Sequence, residues 1–221
     1  MLGLFVVSVL FVAYLILPVW RCLILPVWRC LHPSRRRTGL DSLYYNRLSR
    51  ACRGVLFAIT QGQARQLQAA RGDDASVLNM VREEIVGPWD AEHLCDTHLA
   101  WNPIHRCLGD GTLGSGEGPL SLCILGGEQL HRDEGYIVSL VTPKQVEQVA
   151  GALRPLEKEW LRAGYYKIVP ADYWIRGALN EETFEYTWWH FEGVRRFYQK
   201  AAGEGRWVIF YREPVLIPRS L

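Results

Sequence analysis

The residues best suited to chemistry are two histidines and an aspartate near the middle of the chain. His98 and His105 are seven residues apart with Trp101 between them, so an uninterrupted helix would place both imidazoles on one face. Together with Asp96, such a pair could bind a metal ion or a ligand. Pro103 interrupts that helix, however, and helical metal sites more often use i,i+4 spacing. We predict no metal site and interpret both histidines as partly buried and satisfied by hydrogen bonds.

A second candidate is the sequence Gly126-Gly127-Glu128, which follows an apolar run. Glycines at this position would let backbone amides approach an anionic ligand, with Glu128 acting as a general base. A tight turn or bulge that requires positive φ explains the same two glycines, and we favour the turn.

Three consecutive ring-bearing residues, Trp188, Trp189 and His190, could line a pocket. An aromatic stripe at helical spacing usually belongs to the core, and Trp188 fits that stripe. Trp189 and His190 fall off the stripe, so we expect them to face a cleft or a partner. The catalytic residues are unknown at this point, and the predicted ligand-binding residues are Trp101, His105, Gly126, Gly127, Glu128 and His190.

The sequence lacks the common catalytic and cofactor motifs. It contains no nucleophile elbow, no phosphate-binding loop and no dinucleotide fingerprint, so we predict no cofactor. The six cysteines include no C-x-x-C pair, which argues against a zinc knuckle or a thioredoxin-type dithiol. A chain of 221 residues needs no disulfide to stabilise it, so we expect reduced thiols in a cytoplasmic domain.

The charge distribution argues against nucleic-acid binding. Residues 1–40 contain five arginines and no acidic residue, which leaves 20 basic and 23 acidic residues, a net charge of −3, in residues 41–221. Binding to a phosphate backbone requires a concentrated basic face, whereas the body of this chain is mildly acidic. We therefore predict no nucleic-acid partner and expect a protein partner of unknown identity.

The beginning of the chain is strongly apolar. Residues 2–20 carry no charge, and as a helix they would span about 28 Å, close to the hydrocarbon thickness of a bilayer. No basic residue precedes this run, which argues against a cleaved signal peptide. The nearby arginines all follow it, which predicts a single membrane anchor with the globular domain on the cytoplasmic side.

An octapeptide, Ile-Leu-Pro-Val-Trp-Arg-Cys-Leu, occurs twice in tandem at residues 16–23 and 24–31. It could form a collar at the membrane interface with Trp20 and Trp28 as anchors. Two copies are too few for a repeat architecture, and we favour a recent duplication without a selected role. An extension that is not normally translated is the further alternative. The predicted organisation is an apolar segment over 1–31, a basic linker over 32–53 and a domain over 54–221.

From residue 54 onward, strand and helix patterns alternate. Thr142-Pro143-Lys144-Gln145 predicts a helix start, because threonine caps helices and proline fits the first helical position. The predicted elements are strands over 55–59, 120–125, 136–141 and 207–211, and helices over 61–70, 75–85, 88–108, after Thr142 and over 180–202. We expect a mixed α/β fold, a single compact domain with a small sheet covered by helices, preceded by an N-terminal apolar helix.

Several segments, in their order and spacing, resemble one family. They are Gly54–Ile59, Asp96–Leu108, Pro119–Gln129, Tyr136–Pro143, Phe184–Trp188, Phe197–Ala202 and Gly205–Phe210. The chain thereby resembles the YfbM-like family (domain of unknown function 1877) over roughly residues 54–212. The resemblance implies no established chemistry. Relatives usually carry an Asp-Lys pair where this sequence has His98 and Leu99, which implies a lost or altered polar site if that pair forms one.

Two functions from different classes fit these features. The first, which we favour, is a protein-interaction or regulatory domain tethered to the inner face of a membrane. Its support is the abundance of aromatic residues without an assembled catalytic constellation. The second is an enzyme or a small-ligand-binding protein with a cleft near Trp101, His105 and Glu128, joined by His190. A cleft that gathers these four residues favours the second function, and their dispersal favours the first.

Overall fold

The computed structural model describes residues 52–114, 116–169 and 179–214, and a five-stranded antiparallel sheet runs through this part of the chain. Its strands are β1 (Cys52–Ile59), β2 (Leu94–His98), β3 (Glu128–Arg132), β4 (Ile137–Val141) and β5 (Trp207–Pro214), in the spatial order β2-β1-β5-β4-β3. β5 pairs with β1 along the whole length of both strands. The last strand in the sequence therefore forms the centre of the sheet.

Six α-helices cover the sheet in these ranges. They are α1 (Gln61–Ala69), α2 (Asp74–Met80), α3 (Trp101–Leu108), α4 (Pro143–Leu153), α5 (Lys158–Tyr165) and α6 (Glu181–Gly203). A π-helix (Val81–Val86) continues α2, and a short 3-10 helix (Pro119–Leu122) follows the glycine-rich loop. The predicted class, a mixed α/β fold with a small sheet covered by helices, is confirmed for the described part of the chain.

Residues of each strand enter two separate cores alternately, because successive side chains of a strand point to opposite faces. On β1, the side chains of Val55, Phe57 and Ile59 are buried against α1, α2 and the π-helix. We call this side of the sheet, with its helices, face 1. The side chains of Leu56 and Ala58 are buried against α3, α4, α5 and α6. We call this opposite side of the sheet, with its helices, face 2. The sheet is thus the middle of three layers, with helices on both sides.

The helix starts predicted from capping signals are confirmed. Oγ1 of Thr142 accepts the N–H of Gln145, and the Gln145 side chain accepts the N–H of Thr142, which completes a capping box. Asn180 caps α6 in the same way together with Thr183. The aromatic stripe of α6 then packs into face 2, where Phe184 is fully buried.

The prediction of a helical stretch over 88–108 is wrong in its first half. Leu94–His98 forms strand β2, and the helix, α3, begins only at Trp101. β2 is an edge strand with a polar sequence, and it forms because it pairs with β1, where Val55 lies opposite Asp96. Such non-local pairing overrides local pattern, because strand preference depends on cross-strand neighbours.

The predicted strand over 120–125 is also wrong. The 3-10 helix occupies Pro119–Leu122, and Ile124 and Leu125 are buried in the bends that follow. Short apolar runs fit a strand and a buried turn equally well, so hydrophobicity alone did not distinguish them. The strand of this region is β3, which lies between the two predicted strands, over 120–125 and 136–141.

The predicted N-terminal anchor over 2–20, the tandem octapeptides and nearly all of the basic linker lie outside the described residues. Among the helices of residues 52–114, 116–169 and 179–214, none combines the length and the apolar character needed to cross a bilayer. The division of the chain into anchor, linker and domain therefore stays a prediction.

Candidate functional site

A cluster of polar and aromatic side chains surrounds the outer edge of the sheet, where β2 lies beside α6. We call it the β2-edge site and define it by Arg53, Asp96, His98, Tyr186, Trp189 and His190. β1 supplies the arginine, β2 supplies Asp96 and His98, and α6 supplies the other three residues. α6 packs directly on β2 at Gly193, where an added Cβ would lie 3.5 Å from Sγ of Cys95, an ordinary van der Waals distance.

An ion pair joins β1 to β2 in this site. Arg53 donates through Nε and Nη2 to the carboxylate of Asp96, with N–O distances of 3.1 and 2.5 Å. The guanidinium also lies 4.8 Å from the ring centre of Trp89. Burial alone would raise the pKa of Asp96, but hydrogen bonds from Arg53 and from the His98 amide lower it below its ordinary value. Asp96 is therefore ionised at neutral pH.

The backbone of β2 ends in the left-handed region. His98 has φ of +47°, a conformation that histidine tolerates better than most residues. Its amide donates to Oδ1 of Asp96 at 2.9 Å, which stabilises the turn. Beyond the turn, Nδ1 of His98 lies 2.8 Å from the hydroxyl oxygen of Tyr186 on α6. His98 thus provides a polar contact between β2 and α6.

His190 connects α6 to the backbone of β2. It is buried, and its Nδ1 lies 3.2 Å from the carbonyl oxygen of Asp96. Because a carbonyl oxygen only accepts, Nδ1 carries the proton. Burial lowers the pKa of His190 to about 4, and burial also lowers the pKa of His98. Both imidazoles of the site are therefore neutral at pH 7.

The rings of α6 form an aromatic surface beside these contacts. The ring centre of His190 lies 4.6 Å from that of Tyr186 and 4.7 Å from that of Trp189, both in edge-to-face geometry. Trp189 is exposed, as we expected for a residue that faces a partner, whereas His190 is buried behind it. The buried imidazole thus holds two solvent-exposed rings in place.

Two side chains of this region, His190 and Cys95, are poorly suited to act as a base or a nucleophile at neutral pH. Burial lowers the pKa of His190 to about 4, although the carbonyl and the carboxylate of Asp96 both act to raise it, so the ring is a weak base at neutral pH. The nearby Cys95 is partly buried, and this burial raises the pKa of its thiol to about 12, so it is not a nucleophile at neutral pH. Within the described ranges, no group of three or more histidine, cysteine or acidic side chains is placed to hold a metal ion.

Two of the predicted ligand-binding residues lie on α3 and pack into face 2. Nε1 of Trp101 donates to the carbonyl oxygen of Cys52 at 2.9 Å, and its ring centre lies 5.7 Å from that of Phe210. His105 is buried, with Nε2 3.1 Å from the carbonyl oxygen of Gly114. Its Nδ1 is buried without a hydrogen-bond partner among the described residues.

The two histidines of the sequence analysis do not share a helix face. His98 precedes the first residue of α3, and its imidazole contacts α6, whereas His105 points toward the glycine-rich loop. Pro103 falls in the first turn of α3, where the missing N–H costs no helix hydrogen bond. Contrary to our expectation, Pro103 therefore does not interrupt a helix but lies close to the beginning of one.

Gly126 and Gly127 lie where other backbone segments come close. Gly127 has φ of +82°, and an added Cβ would lie 2.3 Å from the carbonyl oxygen of Leu140. At Gly126 an added Cβ would lie 2.3 Å from Cα of Leu122. Both contacts are closer than any side chain allows, so the geometry agrees with the turn that we favoured.

Glu128 begins β3 and contacts α1, on face 1. Its Oε2 accepts a hydrogen bond from Nε2 of Gln68 at 3.1 Å, and its Oε1 lies 2.9 Å from Nη1 of Arg71. The predicted ligand-binding residues on α3 and α6 belong to helices of face 2. The structure therefore does not gather the four side chains in one cleft, and their role in ligand binding stays a prediction.

The sequence analysis did not identify Arg53 and Tyr186, which complete the β2-edge site. Arg53 contacts Asp96, 43 positions away, and Tyr186 contacts His98, 88 positions away. No local spacing in the sequence relates these partners. One local signal existed for Tyr186. It lies three residues before Trp189 and four before His190, and residues at these spacings are neighbours on a helix surface.

Comparison with known proteins agrees with this fold. The family described as Domain of unknown function (DUF1877) matches residues 51–211. A protein of unknown function, YfbM from Escherichia coli, has a similar crystal structure, with a TM-score of 0.56 and 16% sequence identity over 72% of this chain and 99% of that one. At this identity the likeness shows the fold alone. No curated protein matches the chain.

Proposed function

Because this chain belongs to the family described as Domain of unknown function (DUF1877), whose description names no activity, we propose a function from its surface. The domain binds another protein through the aromatic part of the β2-edge site, Tyr186 and Trp189 on α6. Its role is regulatory, and it acts by forming a complex with its partner rather than by catalysing a reaction.

The exposure of Trp189 carries the proposal. Trp189 is 64% exposed, although other large aromatic residues of the same helix, such as Phe184 and Phe191, are fully buried. Tyr186, one turn away, is 39% exposed. A single exposed apolar residue is normal for a monomer, but adjacent tryptophan and tyrosine side chains are typical of the centres of protein interfaces.

The surrounding contacts hold the two exposed rings in place before a partner binds. The Tyr186 hydroxyl is fixed by His98, and the ring of His190 lies against both Tyr186 and Trp189. Immobilising a free side chain in an interface costs about 0.5–1.5 kcal/mol. Rings that are already ordered avoid part of this cost, which favours a binding role for the surface.

Site-specific photocrosslinking in cells tests the proposal. A photoreactive phenylalanine analogue replaces Trp189 in one variant and Trp160 in the other. Trp160, on α5, is a matched control because it is 44% exposed and lies outside the β2-edge site. We expect light-dependent crosslinking to one protein from position 189 and none from position 160. Equal crosslinking from both positions contradicts the proposal.

The crosslinked protein then allows a quantitative test. With the purified partner, we expect Trp189→Ala to raise Kd by roughly thirtyfold or more, because central tryptophans typically contribute about 2 kcal/mol or more. Trp160→Ala should leave Kd unchanged. An unchanged Kd for Trp189→Ala would exclude the aromatic surface as the binding site.

The unpartnered nitrogen of His105 supports a second candidate function, small-molecule binding in face 2. A buried polar atom without a partner costs about 1–3 kcal/mol, and a ligand that donates a hydrogen bond to Nδ1 would remove this cost. Native mass spectrometry of the whole chain and of His105→Phe tests this function. A bound molecule that is lost only in His105→Phe supports it, with Glu128→Gln, on face 1, as the control. Identical spectra for all three proteins contradict it.

We further propose that residues 2–20 tether the domain to the cytoplasmic side of a membrane. The support is in the sequence: an uncharged run of sufficient length, followed by the arginines of residues 21–37. A tether would confine the aromatic surface of α6 to partners at or near the same membrane.

A further inference from the structure

A pair of stacked tyrosines lies on face 1, away from the aromatic surface of α6. Tyr211 of β5 stacks on Tyr136, which precedes β4, with ring centres 6.3 Å apart and an interplanar angle of 22°. Tyr211 is only 1% exposed, and within the described residues its hydroxyl makes no hydrogen bond of ordinary geometry. Buried hydroxyls nearly always have a hydrogen-bond partner, so this one can still form a hydrogen bond of good geometry with a ligand.

Arg82 lies over the two tyrosines. It is the second residue of the π-helix, where the N–H of Gly87 donates to the carbonyl oxygen of Arg82 at 2.8 Å. π-helical turns are rare and are frequent at functional sites. The guanidinium carbon lies 4.6 Å from the ring centre of Tyr136. The guanidinium also lies beside the Tyr211 hydroxyl, and this contact raises the pKa of Arg82.

Arg82 has no carboxylate partner in the part of the chain that the structure describes. Carboxylates do pair with Arg53, Arg71, Arg162, Arg195 and Arg206. Besides burial, the charge of Glu213 raises the pKa of Tyr211. Glu213 lies opposite Arg53 in the β1–β5 pairing, however, and besides Asp96 it also raises the pKa of that arginine. The guanidinium of Arg82 and the two hydroxyls therefore present hydrogen-bond donors without an anionic acceptor.

We propose that Arg82, Tyr136 and Tyr211 bind an oxyanion, the carboxylate or phosphate group of a small molecule. A guanidinium that is stacked on a ring keeps its N–H edge open for two-point contact with such a group. Arg82 is exposed and has a long side chain, so it can move to let the anion reach the buried hydroxyl of Tyr211. The anion then accepts hydrogen bonds from all three side chains.

NMR titration of the whole 221-residue chain tests this site. Sodium phosphate and sodium acetate are added separately, with sodium chloride keeping the ionic strength constant. We expect at least one anion to cause saturable shifts of the Arg82 Nε–Hε signal and of the Tyr211 backbone amide. Arg82→Gln should weaken that binding by about tenfold or more, because hydrogen bonds between charged groups are strong. Arg65→Gln, which changes an exposed arginine of α1, should not weaken it.

Tyr211→Phe separates binding from folding. The variant removes a hydroxyl that makes no hydrogen bond of ordinary geometry among the described residues, so we expect its unfolding temperature to be close to that of the wild type, while its anion affinity falls several-fold. Saturation by phosphate alone identifies a phosphate ligand, and saturation by acetate alone identifies a carboxylate ligand. Lack of saturable shifts with both anions overturns the proposal. Equal loss of binding in Arg65→Gln and Arg82→Gln also overturns it, since binding would then reflect net charge.

Discussion

At the scale of single residues, His131 is the side chain whose protonation connects two elements. Its Nδ1 lies 2.9 Å from Oδ1 of Asp74 on α2, and its Nε2 lies 3.1 Å from Oδ2 of Asp133, just after β3. Burial alone would lower the pKa of His131, but the two carboxylates raise it above its ordinary value. The folded state therefore holds a proton that the unfolded chain releases at lower pH.

This arrangement predicts a pH dependence of stability with a definite sign. Because the folded pKa of His131 exceeds the unfolded value of about 6.5, the ion pairs stabilise fully below that pH and are lost as pH rises through the folded pKa. We expect His131→Gln to lower the free energy of unfolding more at about pH 5.5 than at about pH 8.5, measured by urea unfolding. His98→Gln is the control, since burial lowers the pKa of His98 and its contribution has the opposite sign.

If His131→Gln lowered the free energy of unfolding equally at both pH values, the two carboxylates would not raise the pKa of His131.

Single residues also show how far the site could be predicted. Trp189 and His190 were identified because they break the apolar stripe of a helix, which is a local pattern. Arg53 was not identified, because its role depends on an ion pair to Asp96 that forms only when β1 and β2 meet. The unpartnered atom of Tyr211 leaves no trace in the sequence at all, since burial and missing partners are properties of packing.

At the scale of elements, Gly54 is a point where β1 packs tightly against side chains of α3 and β5. An added Cβ would lie 2.7 Å from the ring of Trp101 and 2.7 Å from the ring of Phe210. These rings pack against each other, so neither can move without opening a gap elsewhere. We predict that Gly54→Ala lowers the free energy of unfolding by about 1–3 kcal/mol, measured by urea unfolding.

Gly62→Ala provides the matched control for this prediction. Gly62 lies in α1, where the nearest atom to an added Cβ is Oγ1 of Thr60 at 3.8 Å. Alanine is favoured over glycine inside helices by about 0.5–1 kcal/mol, so this variant should be more stable than the wild type. A similar change in stability for both variants would contradict the close packing that we assign to Gly54.

The same scale explains which elements could be predicted from the sequence. α4 and α6 were predicted because their capping residues act within one turn of the chain. β2 and β3 were not predicted, because each is a short edge strand with a polar sequence that forms only by pairing with β1 or β4. The residues are Leu-Cys-Asp-Thr-His at 94–98 and Glu-Gln-Leu-His-Arg at 128–132.

At the scale of the whole molecule, the family match and the apolar run occupy different parts of the sequence, residues 51–211 and residues 2–20. The fold of YfbM from Escherichia coli matches 72% of this chain with 99% of its own length. We therefore expect residues 52–221, which begin with β1, to unfold cooperatively on heating, with circular dichroism as the measurement. A gradual loss of signal would show that the fold depends on the preceding residues.

Membrane fractionation of the whole chain tests the tether at the same scale. We expect the chain to stay in the membrane pellet after extraction at alkaline pH, because a span of about 20 apolar residues inserts stably. Deletion of residues 2–20 should move the protein to the supernatant. Release of the whole chain by the same extraction would contradict the tether. A deletion variant that stays in the pellet would show that a segment other than residues 2–20 binds the membrane.

The central place of β5 in the sheet has a consequence for protein synthesis. β1 and β4 each pair with β5 on one side, so the pairs β1–β2 and β3–β4 stay apart until residues 207–214 have left the ribosome. Until then, both halves expose an open strand edge, which invites aggregation or chaperone binding. A message with a premature stop codon before β5 thus yields two unjoined halves rather than a smaller stable domain. The sheet closes only in a chain that includes β5, since this strand joins the two halves.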